Sequence, residues 1–474
     1  MKMDFRSINF GLSDAQSEGM DYPNLLINGY VNLMQVIEQV NSHRCFLFLG
    51  YKGSGKSSLS EHLKLSESEA VINQQPLKDF PFKFFEKVLD SEDRTIKYKT
   101  IWRWLLCAEV LSSLCKDADF INSDLQRAIA VFTQLGLFPV LSISSLLKKS
   151  TATTVSATIK TLGISHSVST EYAEADMEML TDYIKSLLIT IKEERPHLTI
   201  IDELDDILTP NGRQFENIAA LINEVKDLNY FFYSNNIPAK VIVLCRTDMF
   251  ERLPGQNLNK IRQDNSFTFT WYREGIDSNK KSDLIYLINK RARLTYPDLS
   301  DVFETFFPRS FDDTDIYSAM LNYTRHIPRD FIQLMNYIKN HCDSEKVSHG
   351  AIVKGIKDYS TEYFYPEIAN ELSGYLPSAA IQPVFNVISS IRLQSFSFDQ
   401  FKDKCRIYPE LKNLDPALIL KILYECSAIG HIHYYNEDGS TRVLYKYRNR
   451  SSSFEKTDKI LLHRGLWKSM NVSY

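Results

Sequence analysis

The sequence predicts an α/β fold: a parallel sheet, then a helical region, then three helices with a β-hairpin. Three observations carry this. An apolar run, Cys45-Phe46-Leu47-Phe48-Leu49, leads into a glycine-rich loop and a helical pattern. Two more short runs, Leu198-Thr199-Ile200-Ile201 and Val241-Ile242-Val243-Leu244-Cys245, have the character of buried parallel strands. Beyond Trp271 the pattern changes to amphipathic helices.

The loop after the first run reads Gly50-Tyr51-Lys52-Gly53-Ser54-Gly55-Lys56-Ser57-Ser58, and Leu59, Leu63 and Leu65 mark the helix behind it. G-x-x-x-x-G-K-S between a strand and a helix is the spacing of a phosphate-binding loop. Its glycines let backbone N–H groups converge on phosphates with no Cβ in the way. Lys56 adds a point charge at the β- and γ-phosphates, and the Ser57 hydroxyl ligates Mg²⁺. Gly50 through Ser58 are therefore the candidate cofactor-binding residues, with ATP and Mg²⁺ as the expected ligands.

Such a loop needs a second strand ending in acid. A helical spacing over 178–191 closes at Pro196, and the run 198–201 ends in Asp202-Glu203. Asp202 is placed to hold the Mg²⁺ shell, and Glu203 to polarise the attacking water. Asp205 and Asp206 continue the acidic run as helix caps or solvated charges. The third strand ends in Arg246-Thr247-Asp248, where Thr247 or Arg246 could sense the γ-phosphate; alternatively Thr247 or Asp248 caps a helix. A fourth strand is expected over Phe267–Trp271. Asn259-Lys260 invites a guanine reading, but Arg262 stands where that motif needs Asp, and no D-x-x-G follows the loop.

Ser282–Leu294 and Arg329–Asn340 read as helices, the second opening with Ile327-Pro328-Arg329-Asp330. Arg329 at the start of a lid helix can reach back to the γ-phosphate, or it is a solvated first-turn charge. Ile381–Ile391, Phe398–Lys404 and a helix opening at Asp415-Pro416 precede two strands, His431–Tyr435 and Thr441–Tyr447, around Glu437-Asp438-Gly439. Three helices and a hairpin spell a winged helix. Alternation puts Val443, Tyr445 and Tyr447 on one face and Arg442, Lys446 and Arg448 on the other, with Arg450 just beyond. These four cations form a candidate nucleic-acid interface; the alternative is a protein-contacting wing. His431 and His433 lack a third metal ligand and are expected to pack or hydrogen-bond.

Composition sets the limits. The 474 residues carry 55 basic and 59 acidic side chains, a net −4, so no global basic field is present. Residues 371–474 hold 14 basic and 10 acidic side chains, +4 against −8 for the rest. Seven scattered cysteines with no C-x-x-C pair suit a reducing cytoplasm, and the N-terminus lacks the apolar run of a signal peptide. Twenty uncharged residues lie between Arg127 and Lys148, long enough to cross a bilayer. A single crossing would separate the two halves of the site, which must share one sheet, so a buried or hairpin-like insert is expected and no membrane partner.

The chain resembles a bacterial family of P-loop ATPases within the AAA+/STAND division, near its origin-recognition-like branch. The resemblance rests on Phe10-Gly11 with Asp14-Ala15, Gly50 through Ser57, Ile201-Asp202-Glu203-Leu204-Asp205 and Arg246-Thr247-Asp248-Met249-Phe250-Glu251. To these it adds Asn259-Lys260-Ile261-Arg262-Gln263-Asp264 and His463-Arg464-Gly465-Leu466-Trp467. It implies an αβα ATPase core over 1–275 with an insert at roughly 75–177, a helical lid over 276–370 and a winged helix over 371–474. It also implies ATP hydrolysis, homo-oligomers and a setting beside phage-defence genes. In rings of this kind an arginine just before the last core strand reaches a neighbour's γ-phosphate, which points to Arg262; otherwise Arg262 pairs with a core acid. His326-Ile327-Pro328 departs from the G-x-P usual in STAND switches.

Two function classes follow: an ATPase that assembles or remodels on nucleic acid, and a slow nucleotide switch whose winged helix docks a protein effector. A small-molecule kinase, the third user of such a loop, has no place for the lid and tail.

Overall fold

A computed structural model of the chain describes residues 2–66, 70–78, 80–82, 85, 94–117, 122–164, 173–204, 213–255, 257–275, 278–434 and 441–472. They divide into two compact units, one of 34–52 and 59–269, the other of 1–33, 53–58 and 270–474.

The first unit is built on a parallel sheet of β1 (Leu47–Gly50), β2 (Val71–Pro76), β3 (His197–Asp202), β4 (Ala239–Arg246) and β5 (Ser266–Thr268). Their spatial order is β2-β3-β4-β1-β5, so β4 lies between the strand before the glycine loop and the strand that ends in Asp202. Every pairing is parallel, which puts all the carboxyl ends on one edge. The apolar runs that predicted β1, β3 and β4 are nearly all buried, as strands covered on both faces must be. The fourth expected strand stops at Thr268, and Phe269 and Trp271 are buried in the irregular chain beyond it.

The helix Arg94–Asp117 packs on β3 and against the helices Ala173–Thr190 and Arg213–Ser234, the last of which lies on β4. Its contact with the sheet is polar as well as apolar. Thr199 donates to Glu109 Oε2 (2.5 Å), and Gln75 Nε2 donates to Glu109 Oε1 (3.5 Å). Burial pushes the Glu109 carboxyl up to about 7, the Thr199 hydrogen bond only partly offsetting it.

The uncharged stretch after Arg127 is buried as expected, but it forms two helices and not a hairpin. Leu125, Ala128, Val131 and Phe132 of Ser123–Gln134 join the core, as do Ile143, Leu146 and Leu147 of Ile143–Lys149. Among the described residues no helix is long and apolar enough to cross a membrane.

The second unit joins the N-terminal segment, residues 53–58 of the glycine loop, the helical region and the C-terminal segment. Arg291 of the helix Asp283–Arg293 forms a buried ion pair with Glu18 (2.7 Å) and donates to Phe10 O (2.6 Å). A small hairpin, β6 (Ser310–Phe311) with β7 (Thr314–Asp315), precedes the helix Pro328–Asn340. The C-terminal helices Ser378–Ile391, Phe398–Cys405 and Pro416–Glu425 stand where the sequence places them.

With them comes an antiparallel sheet of β8 (Ser395–Phe396), β9 (Ile429–Tyr434), β10 (Thr441–Leu444) and β11 (Lys459–Leu462), in the order β10-β9-β11-β8. β8 and β11 are additions to the expected pair of strands. The expected strand over 441–447 ends at Leu444, because the chain turns there to bury Tyr445 and Tyr447. The turn over Glu437-Asp438-Gly439 lies outside the described residues.

Candidate functional site

The carboxyl edge of a parallel sheet is where open α/β folds bind ligands. β1 ends there at Gly50, in register with Arg246 of β4. Tyr51 and Lys52, both half-buried, lead to Gly53, Ser54 and Gly55, and the helix Lys56–Leu65 starts at once. Gly53 and Gly55 have φ of +78° and +98°, conformations that side-chain-bearing residues rarely adopt. A Cβ on Gly53 would also lie 3.0 Å from Arg329 Cβ and 3.1 Å from Ile327 Cδ1. Lys56 is buried at the first helical position, Ser57 is exposed and Ser58 half-buried. The buried Ser54 hydroxyl has no hydrogen-bond partner among the described residues, while the Ser54 carbonyl accepts from Trp271 Nε1 (2.8 Å).

Asp202 closes β3, half-buried, and its Oδ1 accepts the Glu203 N–H (2.7 Å). Glu203 is exposed and held at φ +60°, a left-handed conformation that costs a residue with a side chain about 1–2 kcal/mol. Asp205 and Asp206 lie outside the described residues.

At the end of β4, Arg246 grips Asp248 with both arms (2.9 and 2.6 Å). Of the two sensing candidates, Thr247 is the one whose buried hydroxyl has no hydrogen-bond partner among the described residues. Neither Thr247 nor Asp248 caps the short helix Thr247–Phe250; that position belongs to Arg246. Arg262, four residues before β5, reaches Glu251 at 3.4 Å with both groups about one-third exposed, a weak surface pair.

Arg329 comes to the glycine loop. Its N–H donates to Gly53 O (3.3 Å), and its guanidinium lies 3.5 Å from Glu367. A buried network sets this approach. Asp330 accepts from Arg325 Nε (2.9 Å), Arg325 Nη2 (3.0 Å) and Tyr363 (2.9 Å), and Arg325 also donates to Glu371 (2.6 Å). Burial alone would raise the Asp330 carboxyl, but the Arg325 guanidinium holds it below the usual range.

In the turn between them His326 has φ +51°. The departure from G-x-P thus leaves a left-handed backbone of the kind glycine adopts freely. His326 stacks on Tyr447 (5.4 Å) and meets Tyr272 edge-on (5.2 Å). Burial, with Arg448 and His463 nearby, holds its pKa well below the ordinary value, so the ring is neutral.

The four C-terminal cations do not share a solvent face. Arg442 is exposed and pairs with Glu274, while Arg450 is half-buried. Lys446 is buried, donating to Ser452 O (3.2 Å) beside Glu425 (3.4 Å). Arg448 lies over the rings of Tyr272, Tyr445 and Tyr447 and donates to Asn322 (2.9 Å). The alternation argument failed because the strand it assumed ends three residues earlier. His431 and His433 share Asp458 as their partner, the hydrogen-bonding role expected of them.

Sequence reasoning missed Trp271 and Tyr272 as site neighbours; an aromatic pair just after a strand carries no signal of the loop it will meet. It noticed His326 only as a mismatch. Residues 282–365 match the family model of the FunZ-associated C-terminal helical domain. No curated protein matches the chain.

Proposed function

We propose that the chain is a Mg²⁺-dependent P-loop ATPase, an αβα core whose nucleotide state is read by a helical lid and a C-terminal winged helix. The observation that supports this best is the glycine loop itself. Two positive-φ glycines turn the chain from β1 directly into a helix whose first residue is a buried lysine. In this reading the loop N–H groups and Lys56 bind the β- and γ-phosphates of ATP, and Ser57 and Asp202 hold the Mg²⁺. Mg²⁺ supplies charge neutralisation at the phosphate oxygens. Glu203 orients and polarises the attacking water, Thr247 offers its hydroxyl to the γ-phosphate or that water, and Arg329 leaves Glu367 for the γ-phosphate. The buried hydroxyls of Ser54 and Thr247, which have no hydrogen-bond partner among the described residues, fit a site completed by ligand.

Phosphate release tests it. Wild-type protein should release phosphate from ATP only with Mg²⁺, and Glu203→Gln should retain ATP while turnover falls at least a hundredfold. Parental turnover in the variant would move the base elsewhere, with Asp205 next.

A second reading, the slow switch with a protein effector, is favoured by one observation. Lys446 and Arg448 are engaged within the protein, which makes two of the four candidate cations less available for phosphate. Strong stimulation of phosphate release by DNA favours the remodeller; near-zero turnover with trapped nucleotide favours the switch.

A further inference from the structure

Residues 53–58 of the glycine loop belong to the same compact unit as Trp271 and Arg329, and both of these residues hold the loop by its carbonyls. Arg329 N–H donates to Gly53 O (3.3 Å), and Trp271 Nε1 donates to Ser54 O (2.8 Å). The two bonds fall on successive peptide units, Gly53–Ser54 and Ser54–Gly55. A trans peptide is planar, with its C=O and N–H pointing in opposite directions. Fixing the Ser54 carbonyl on the indole therefore turns the Gly55 N–H away from Trp271. Fixing the Gly53 carbonyl likewise turns the Ser54 N–H away from the Arg329 backbone.

A loop that captures an anion with main-chain N–H groups works best when those groups converge before the ligand arrives. Two glycines at φ +78° and +98° give this stretch its shape but also the freedom to lose it. The carbonyl anchors remove that freedom. Trp271 is itself buried, and the next residue is braced. Tyr272 meets His326 edge-on (5.2 Å) in the turn that leads to Arg329, and Arg448 lies over the Tyr272 ring (5.5 Å). One aromatic contact thus joins the segments that carry the two anchors.

We propose that Trp271 is a positioning residue for nucleotide binding: its indole N–H holds the Ser54–Gly55 peptide so that the Gly55 N–H faces the phosphates. The inference rests on the ATP-binding reading of the loop and adds to it a residue that acts through the loop backbone.

Trp467 supplies the control. Its ring is as buried as that of Trp271, each 7% exposed, and its Nε1 also donates to a main-chain carbonyl, Leu462 O (3.0 Å). Trp271→Phe and Trp467→Phe each keep an aromatic ring and lose one such bond, so a merely structural role would affect ATP affinity alike in both. Calorimetric titration of ATP with Mg²⁺ should instead show Trp271→Phe weakened at least tenfold and Trp467→Phe within about twofold of the wild type. Benzothienylalanine at position 271 replaces the N–H by sulfur and keeps the bicyclic shape. It should show the same tenfold loss, and it decides the matter where Trp271→Phe fails to fold. Wild-type affinity in the folded position-271 variant, or equal losses at 271 and 467, overturns the proposal. Hydrogen exchange of the peptide spanning 50–58, measured without nucleotide, tests the anchor separately. It should be faster in the position-271 variants than in the wild type and Trp467→Phe, and unchanged exchange overturns the anchor. Failure of the wild type to bind ATP would strike the ATPase reading, while the exchange measurement still decides whether Trp271 holds the loop.

Discussion

Glu203 holds a left-handed φ of +60° where the chain leaves β3. An apolar run ending in Asp-Glu after a glycine loop marks it, but its left-handed φ depends on how the chain leaves β3, with Ile201 and Leu204 both buried. Glu109 was not legible at all, since one glutamate within a long helix gives no sign that it will face the sheet. Its carboxyl, raised to about 7 by burial from 4.5, has a consequence for stability. The folded state binds the extra proton between those values, so its stabilisation is full below pH 4.5 and is lost as pH rises through 7. The loss is at most roughly 3 kcal/mol. Glu109→Gln should therefore melt above the wild type at pH 8 and no higher at pH 5. An equal difference at both pH values in thermal melts would remove the carboxyl as the cause.

At the scale of elements, the strands that could be read were those whose composition matched their burial. β1, β3 and β4 are apolar runs because both faces are covered. β2, Val71-Ile72-Asn73-Gln74-Gln75-Pro76, sits at the sheet edge and was not read. Its polar side chains are spent on partners in other elements, Asn73 on Ser113 and Gln74 on Ser60 and Glu61. β10 was read too long, because Tyr445 and Tyr447 continue an alternating pattern that the backbone abandons. The energetic meaning of the basic residues inverts with that turn. Arg448 covers three tyrosine rings, and cation–π contacts out of water are worth about 1–2 kcal/mol. Arg448→Ala should lower the melting temperature by several degrees, whereas Arg442→Ala, at an exposed pair, should move it by less than about one. Equal shifts by scanning fluorimetry would contradict the packing role.

Over the whole molecule, sequence reasoning recovered one sheet carrying both the glycine loop's strand and the acid-ended strand. It did not anticipate that the helical and C-terminal segments group with residues 53–58 in one compact unit. Assembly belongs to this scale. Arg262, whose side chain makes a long surface pair with Glu251, can act on a neighbouring copy at little cost. Arg262→Ala should then bind ATP normally and hydrolyse it poorly, and mixing it with Lys56→Ala protein should restore part of the activity. Full-rate hydrolysis by a protein that sediments as a monomer would exclude that role.

The proposed function depends on ATP binding at the glycine loop, and calorimetric titration of ATP with Mg²⁺ into the wild type and Lys56→Ala tests it most directly. The expected result is saturable binding of one ATP per chain in the wild type, weakened at least a hundredfold in the variant. ATP affinity in Lys56→Ala equal to that of the wild type would contradict the account.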